Sequence, residues 1–248
     1  MNFDLRLGDC LEQMRDLPNG SVDLVFTSPP YNLGVSTGAG MHHVSSRSRW
    51  ANAQLAQGYA EHHDAMPYAE YEAWQHQVLL ECWRLLSDEG AIFYNHKPRV
   101  QDNLLWLPLA LNPGLPIRQI IIWARNGGFN FSPTFYLPTH EWIIIFAKPQ
   151  FKLRNRAASG VKDVWHVNTD YNPHPAPFPV ELPSRAIETT TARTILDPFM
   201  GSGSTGVAAM RHQRNFIGIE ISPPYFAMAQ QRIKEADKAA DVIQWHGP

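Results

Sequence analysis

A chain of 248 residues with 21 basic and 23 acidic side chains has a net charge of −2, which excludes a protein coated in positive charge but leaves room for a local basic patch. The length allows one large α/β domain or one domain with an insert, and the 44% apolar content is ordinary for a globular fold. Two cysteines far apart in sequence, Cys10 and Cys82, suggest no disulfide framework, and the lack of an apolar leader or long apolar span points to a soluble cytoplasmic protein with no membrane partner.

Phe3 to Leu7 alternates apolar and polar and predicts a strand, ended by Gly8-Asp9-Cys10, with a short helix over Leu11 to Leu17. Asp9 at the strand end is a candidate cofactor contact, although its spacing serves a helix N-cap equally well. Val22 to Phe26 predicts a second strand that runs into Thr27-Ser28-Pro29-Pro30-Tyr31-Asn32. Two consecutive prolines remove two backbone donors and stiffen the chain, leaving carbonyls to accept hydrogen bonds. With a serine before them and a tyrosine after, the loop suits a planar base bearing an exocyclic amine; the bland alternative is a proline turn. Gly34 to His63 lacks periodicity and reads as a long loop carrying Arg47 and Arg49, a lid or DNA-contacting arm. Its histidine pairs, His42-His43 and His62-His63, lack a partnering ligand pattern, so no metal is expected.

Tyr71, Trp74, Val78, Cys82 and Leu85 recur at helical spacing, which predicts an amphipathic helix over Tyr68 to Leu86 with a core stripe. Ala91 to Tyr94, Ile117 to Trp123 and Glu141 to Phe146 predict buried strands. The glycines and aromatics of Gly127 to Tyr136 are able to line a base pocket or simply pack a hairpin loop. Lys148, Lys152, Arg154, Arg156 and Lys162 follow with no acid among residues 148–162, a run that serves either phosphate contact or a solvated face. Asn172 to Pro179 is extended and proline-rich, and Val180 to Ile187 predicts a helix.

The segment Asp197-Pro198-Phe199-Met200-Gly201-Ser202-Gly203-Ser204-Thr205 lies between an apolar strand, Thr194 to Leu196, and a helix start, Gly206 to Met210. Strand, glycine turn and helix form the βα unit that binds nucleotide-like ligands. No lysine makes this a P-loop, and the serine spacing is not a nucleophile elbow. The next strand, Asn215 to Glu220, ends in an acid about 20 residues on, where doubly wound folds grip ribose hydroxyls. A ligand with a ribose and little phosphate requirement fits. Ser222-Pro223 then opens a last helix, predicted over Tyr225 to Ala236.

Ser28-Pro29-Pro30-Tyr31 together with Asp197 to Gly203 resembles the signature pair of DNA amino-methyltransferases, and the order, catalytic motif first, is similar to the permuted β group of that family. Gly8-Asp9, the His174 to Ile187 stretch and Gly218-Ile219-Glu220 also sit where that group has motifs. The resemblance covers most of the chain except the regions near 35–65 and 150–172. It implies a single α/β domain over 1–248 with a doubly wound, mostly parallel seven-stranded sheet, one strand antiparallel. It implies S-adenosylmethionine as cofactor, bound by Asp9, Phe178, Asp197, Phe199, Gly201, Gly203 and Glu220, with Phe178 near its methionine or adenine moiety. Ser28, Pro29, Pro30 and Tyr31 would be catalytic, Tyr31 stacking on a flipped base. Double-stranded DNA is the implied partner, met by Arg47 and Arg49 in a loop at 34–65 and by Lys152, Arg154 and Arg156 in a recognition segment at 148–172. A cognate restriction endonuclease acting on the same site is a further candidate partner. Serine at the first motif position is similar to N4-cytosine enzymes; N6-adenine methylation is the alternative, and a catalytically silent DNA-binding relative a second. Carbon-5 chemistry needs a nucleophilic cysteine, which that family carries after a proline; neither Cys10 nor Cys82 follows one.

Overall fold

The computed structural model describes residues 2–32, 66–101, 103–127, 130, 132–168 and 178–245, with side chains to 240. In chain order the elements are β1 (Phe3–Leu7), α1 (Cys10–Arg15), β2 (Val22–Thr27), α2 (Tyr68–Leu85), β3 (Leu86–His96), β4 (Arg99–Gln101), β5 (Leu104–Trp106), β6 (Ile117–Ala124), β7 (His140–Ala147), β8 (Val164–His166), α3 (Glu181–Glu188), β9 (Thr194–Asp197), α4 (Ser204–Arg211), β10 (Asn215–Glu220) and α5 (Pro223–Trp245). One eight-stranded sheet in the order β1-β10-β9-β2-β3-β7-β6-β8 organises them, and β4 and β5 form a separate hairpin. Five strands from β1 to β3 run parallel; β7 is antiparallel to both β3 and β6. The sheet exceeds the expected seven strands by β8, three residues parallel to β6 at its edge.

The first strand pairs with the last: Phe3 to Leu7 lie in parallel register with Phe216 to Glu220. Chain order is thereby uncoupled from spatial order, as the motif order implies. Central strands are buried on both faces, so their sequences are nearly continuous apolar runs. Leu24, Phe26, Phe93, Ile143 and Ile195 face one layer of core, with α3, α4 and α5 residues such as Leu182, Val207 and Ile233. Val25, Ile92, Ile144 and Leu196 face the other, which the Tyr71, Val78, Cys82 and Leu85 stripe of α2 fills.

Two glycines admit helix α5 against the sheet and α4. A Cβ on Gly206 would lie 2.4 Å from Ile233 Cδ1 and 2.7 Å from Phe216 Cε1, closer than packed atoms approach. Gly203, at φ +84°, would place one 3.0 Å from Ala229 Cβ. Gly206→Ala should lower the unfolding free energy by about 1–3 kcal/mol, the cost of overpacking, despite alanine's better helix propensity. Urea denaturation of both proteins measures it, and equal stability would refute the close approach.

Candidate active site

Parallel strands end their functional segments at one edge of the sheet. β1 ends before Asp9, β2 before Ser28, β9 in Asp197 and β10 in Glu220, so the two sequence motifs and both flanking acids meet along the carboxyl edge although they come from opposite ends of the chain. Open parallel sheets bind ligands in this crevice.

Asp197 ties the two motifs together. Its carboxylate is fully buried and accepts from Thr27 Oγ1 (2.8 Å), Thr205 Oγ1 (2.7 Å) and the Phe199 backbone N–H (3.1 Å). Thr27 immediately precedes the Ser28–Tyr31 tetrad, while Thr205 opens α4. Burial pushes the Asp197 carboxyl up from 3.8 to about 6, opposed by the three donors. This acid braces the loop from inside. Two other residues expected against the cofactor also turn a face into the packed interior. Phe178 is packed in the core, its ring 5.5 Å from that of Phe26. The open side of Gly203 faces Ala229 of α5.

The remaining residues of that half lie at the crevice. Glu220 accepts from Gly201 N–H (2.8 Å) and Ser222 N–H (2.9 Å), which fixes its carboxylate at the strand end. Gly201 turns at φ +51° to make the first. The Phe199 ring meets Trp74 edge-on at 5.5 Å. Asp9 is the N-cap of α1, accepting from Leu11 and Glu12 N–H, so one of its two sequence readings describes its observed bonds.

Around the tetrad stands a polar network that sequence patterns do not reveal. Tyr31 O–H donates to Glu141 (2.9 Å), so the 2.8 Å Ser28–Tyr31 contact uses the serine hydrogen. The Asn95 amide reaches Tyr31 (2.8 Å), Glu141 (2.9 Å) and, at 3.3 Å, Ser28, three acceptors for two hydrogens. Arg125 pairs with Glu141 at 3.3 Å. Asn95 and His96 end β3, Glu141 begins the antiparallel β7, and Arg125 follows β6, so all reach the same edge.

The prolines are held from behind. Tyr71 O–H donates to the Pro30 carbonyl (2.8 Å), which makes His96 Nε2–H the donor to Tyr71 (3.0 Å); His96 Nδ1 then accepts from Lys97 N–H (2.9 Å). This tautomer satisfies Tyr71 and the Lys97 N–H, and leaves the 3.4 Å approach of Nδ1 to the Lys97 carbonyl without a hydrogen. Burial, helped by Arg99, brings the His96 pKa down to about 3, so the ring stays neutral. Tyr31 rests on it, ring centres 4.4 Å apart. Among the described residues nothing donates to the Pro29 carbonyl.

The expected DNA-binding run lies elsewhere. Because β7 returns to the amino edge, the residues after it emerge there: Lys148 N–H bonds Gly90, Lys152 pairs with Glu89 (3.6 Å) and Arg154 N–H bonds Thr189. Six residues of β3 separate Glu89 from Asn95, about 20 Å at roughly 3.3 Å per residue. Lys152 and Arg154 therefore sit at the opposite end of the sheet from Ser28, Arg156 is exposed two residues on, and among the described residues of the expected recognition segment 164–168 return to the site edge. Arg47 and Arg49 lie outside the described residues, but Asn32 and Met66 exchange two hydrogen bonds (2.8 and 2.9 Å), closing the ends of that segment beside the tetrad. Among the described residues no group of three or more His, Cys, Asp or Glu is placed to hold a metal. Cys10 and Cys82 are buried, and burial pushes both thiols up, which removes them as nucleophiles.

Fold and site together define a doubly wound α/β protein with a crevice at the carboxyl edge of its sheet beside a rigid proline loop. A DNA methylase family model for N6 and N4 enzymes matches residues 22–231, and the chain belongs to that family. It is 28% identical over 266 residues to the Type II methyltransferase M.BglII of Bacillus subtilis, covering 90% of this chain and 67% of that one. Its fold is similar to that of the cytosine-N4-specific PvuII DNA methyltransferase (TM-score 0.71, 18% identity, 97% of this chain and 92% of that chain). It is also similar to TTHA0409 of Thermus thermophilus in its complex with S-adenosyl-L-methionine (TM-score 0.66, 22% identity, 94% of each chain).

The buried Asp197 predicts a pH signature. Its folded pKa is raised, so the folded state binds the proton more tightly, and its contribution to stability is present below pH 4 and lost as pH rises through about 6. The unfolding free energy of the wild type relative to Asp197→Asn should fall by about 3 kcal/mol between pH 4 and pH 7. Urea titrations at several pH values read this; a difference flat with pH contradicts it.

Proposed function

We propose that the protein transfers a methyl group from S-adenosylmethionine to the N4 amino group of cytosine in duplex DNA, as the modification enzyme of a restriction–modification pair. The observation that carries the reading is the pair of acceptors at the tetrad, Ser28 Oγ with its own hydrogen turned to Tyr31 and the Pro29 carbonyl, to which nothing among the described residues donates. Acceptors held rigidly, one of them met only by a long 3.3 Å contact from Asn95, suit an NH2 group. Serine at the first motif position and the name of the PvuII neighbour favour cytosine over adenine. The Type II designation of M.BglII supports pairing with an endonuclease.

The donor set fits the cofactor. Glu220 offers a fixed carboxylate to ribose hydroxyls, Gly201 lets the chain turn there, Phe199 supplies an aromatic flank, and Asp9 stands at the neighbouring strand end. Asp197, Phe178 and Gly203 act through the shape of this wall. When bound, S-adenosylmethionine supplies an electrophilic sulfonium methyl.

The amine lone pair is delocalised into the base ring, which makes it a poor nucleophile. Ser28 Oγ and the Pro29 carbonyl accept its two hydrogens and draw the lone pair back onto nitrogen. The directed chain from Ser28 through Tyr31 to Glu141 then accepts the proton that the product amine must lose. Tyr31, backed by His96, stacks on the base. A base inside a duplex cannot reach this loop, so the target is flipped.

Two measurements follow. Glu220→Ala should weaken S-adenosylmethionine binding by about 1–3 kcal/mol, the worth of charge-assisted hydrogen bonds, and unchanged calorimetric affinity in a folded variant rejects the assignment. Ser28→Ala should lower kcat and kcat/KM together by about 10²-fold, the lower end for a positioned proton acceptor, with cofactor affinity intact. Mass spectrometry of DNA treated with wild type should find N4-methylcytosine; N6-methyladenine alone reverses the choice of base, and full activity of Ser28→Ala removes the tetrad from the mechanism.

A further inference from the structure

The β4–β5 hairpin stands directly beside the tetrad and has no part in the reaction described. Its foot is pinned to the site: Arg99 donates to the Tyr31 carbonyl at 2.7 Å and lies 4.3 Å over the Trp106 ring, while Trp106 donates to Tyr68 (3.1 Å) and packs 5.2 Å from His96. Its far end carries Leu104 and Leu105, 73% and 67% exposed. Successive residues of a strand point to opposite faces, so neither face of β5 is covered here by the described part of the domain. Leu104 pairs with Gln101, two residues beyond Arg99, which sets that end about 7 Å from the Tyr31 contact at roughly 3.3 Å per residue.

We propose that the hairpin is the wedge that enters the base stack of duplex DNA, Leu104 and Leu105 occupying the space the flipped target leaves. This rests on duplex DNA being the substrate. Leucine has no polar atom with which to read a base edge, but an apolar side chain between base steps offsets lost stacking. Charge at the foot suits the same occupant. Lys97, Arg99 and Arg125 gather there, and among the described residues the Lys97 ammonium makes no hydrogen bond. Its pKa is lowered, first by burial and then by Arg125, a cost that an incoming phosphate relieves. A second copy of the chain is the poorer occupant, since a symmetric contact sets the same cations against each other.

The test compares Leu104→Ser/Leu105→Ser with Leu104→Met/Leu105→Met, following tritiated methyl transfer to native and heat-denatured genomic DNA lacking the modification. The serine pair should lose at least tenfold in kcat/KM on duplex, keep S-adenosylmethionine affinity, and stay within about threefold of wild type on single strands wherever wild type accepts them. The methionine pair should keep duplex activity within about threefold. Unchanged duplex activity in the serine pair overturns the wedge, as does equal loss in both pairs, or a fall in sedimentation mass that makes the hairpin an interface between copies. A wild type that methylates no DNA sinks the functional reading itself, which an indifferent serine pair beside an active wild type does not.

Discussion

The structure depends on one buried carboxylate. Asp197 joins Thr27, the residue before the Ser28–Tyr31 tetrad and 170 positions away, to the first turn of the helix after the glycine loop. Removing a charge from water is unfavourable, and the raised pKa records it. Three donors at fixed positions make the arrangement specific: Thr27 and Thr205 both donate to Asp197, a bridge that accompanies the parallel pairing of β2 with β9. The distance between methyl donor and base acceptor is thereby set by the core and not by either loop, which is what a displacement reaction limited by alignment needs.

On the other side of the tetrad the logic is inverted. There the polar groups are many, and each is oriented by the next, from Lys97 N–H through His96 and Tyr71 to Pro30, and from Ser28 through Tyr31 to Glu141. Directionality in such chains follows from counting hydrogens. A neutral His96 has one, Tyr71 has one, and both are committed. Low dielectric strengthens a satisfied network of this kind and rigidifies the loop it supports.

Much of the fold was legible because helices and strands announce themselves locally. The Tyr71 to Leu85 stripe, the apolar strands and the glycine turn after Asp197 read directly, and the motif pair located the crevice. Glu141, Asn95 and Arg125 were not legible, because each lies at the end of an apolar strand with partners 16 to 110 residues away; a lone acid heading the run Trp142 to Ala147 was the one available signal. The basic run misled for a topological reason. Adjacency to a site-bearing strand says nothing about which edge the next residues reach, and the reversed direction of β7 carries Lys152 and Arg154 away. Asp197 was found as a site residue, but its inward orientation depends on Thr27, which no local pattern connects to it.

The pairing of β1 with β10 has a consequence for how the enzyme is born. Phe3 to Leu7 leave the ribosome well before their partners Phe216 to Glu220. At about 5–20 residues per second the delay is roughly 10–40 seconds. During it the amino-terminal strand has no neighbour, and the crevice lacks the acid that closes it. Such long-range closure slows folding, because chain entropy is lost before contacts compensate. The edge of the sheet that carries Asp9 and Glu220 is therefore completed only when β10 is made, so the two halves of the crevice are assembled together.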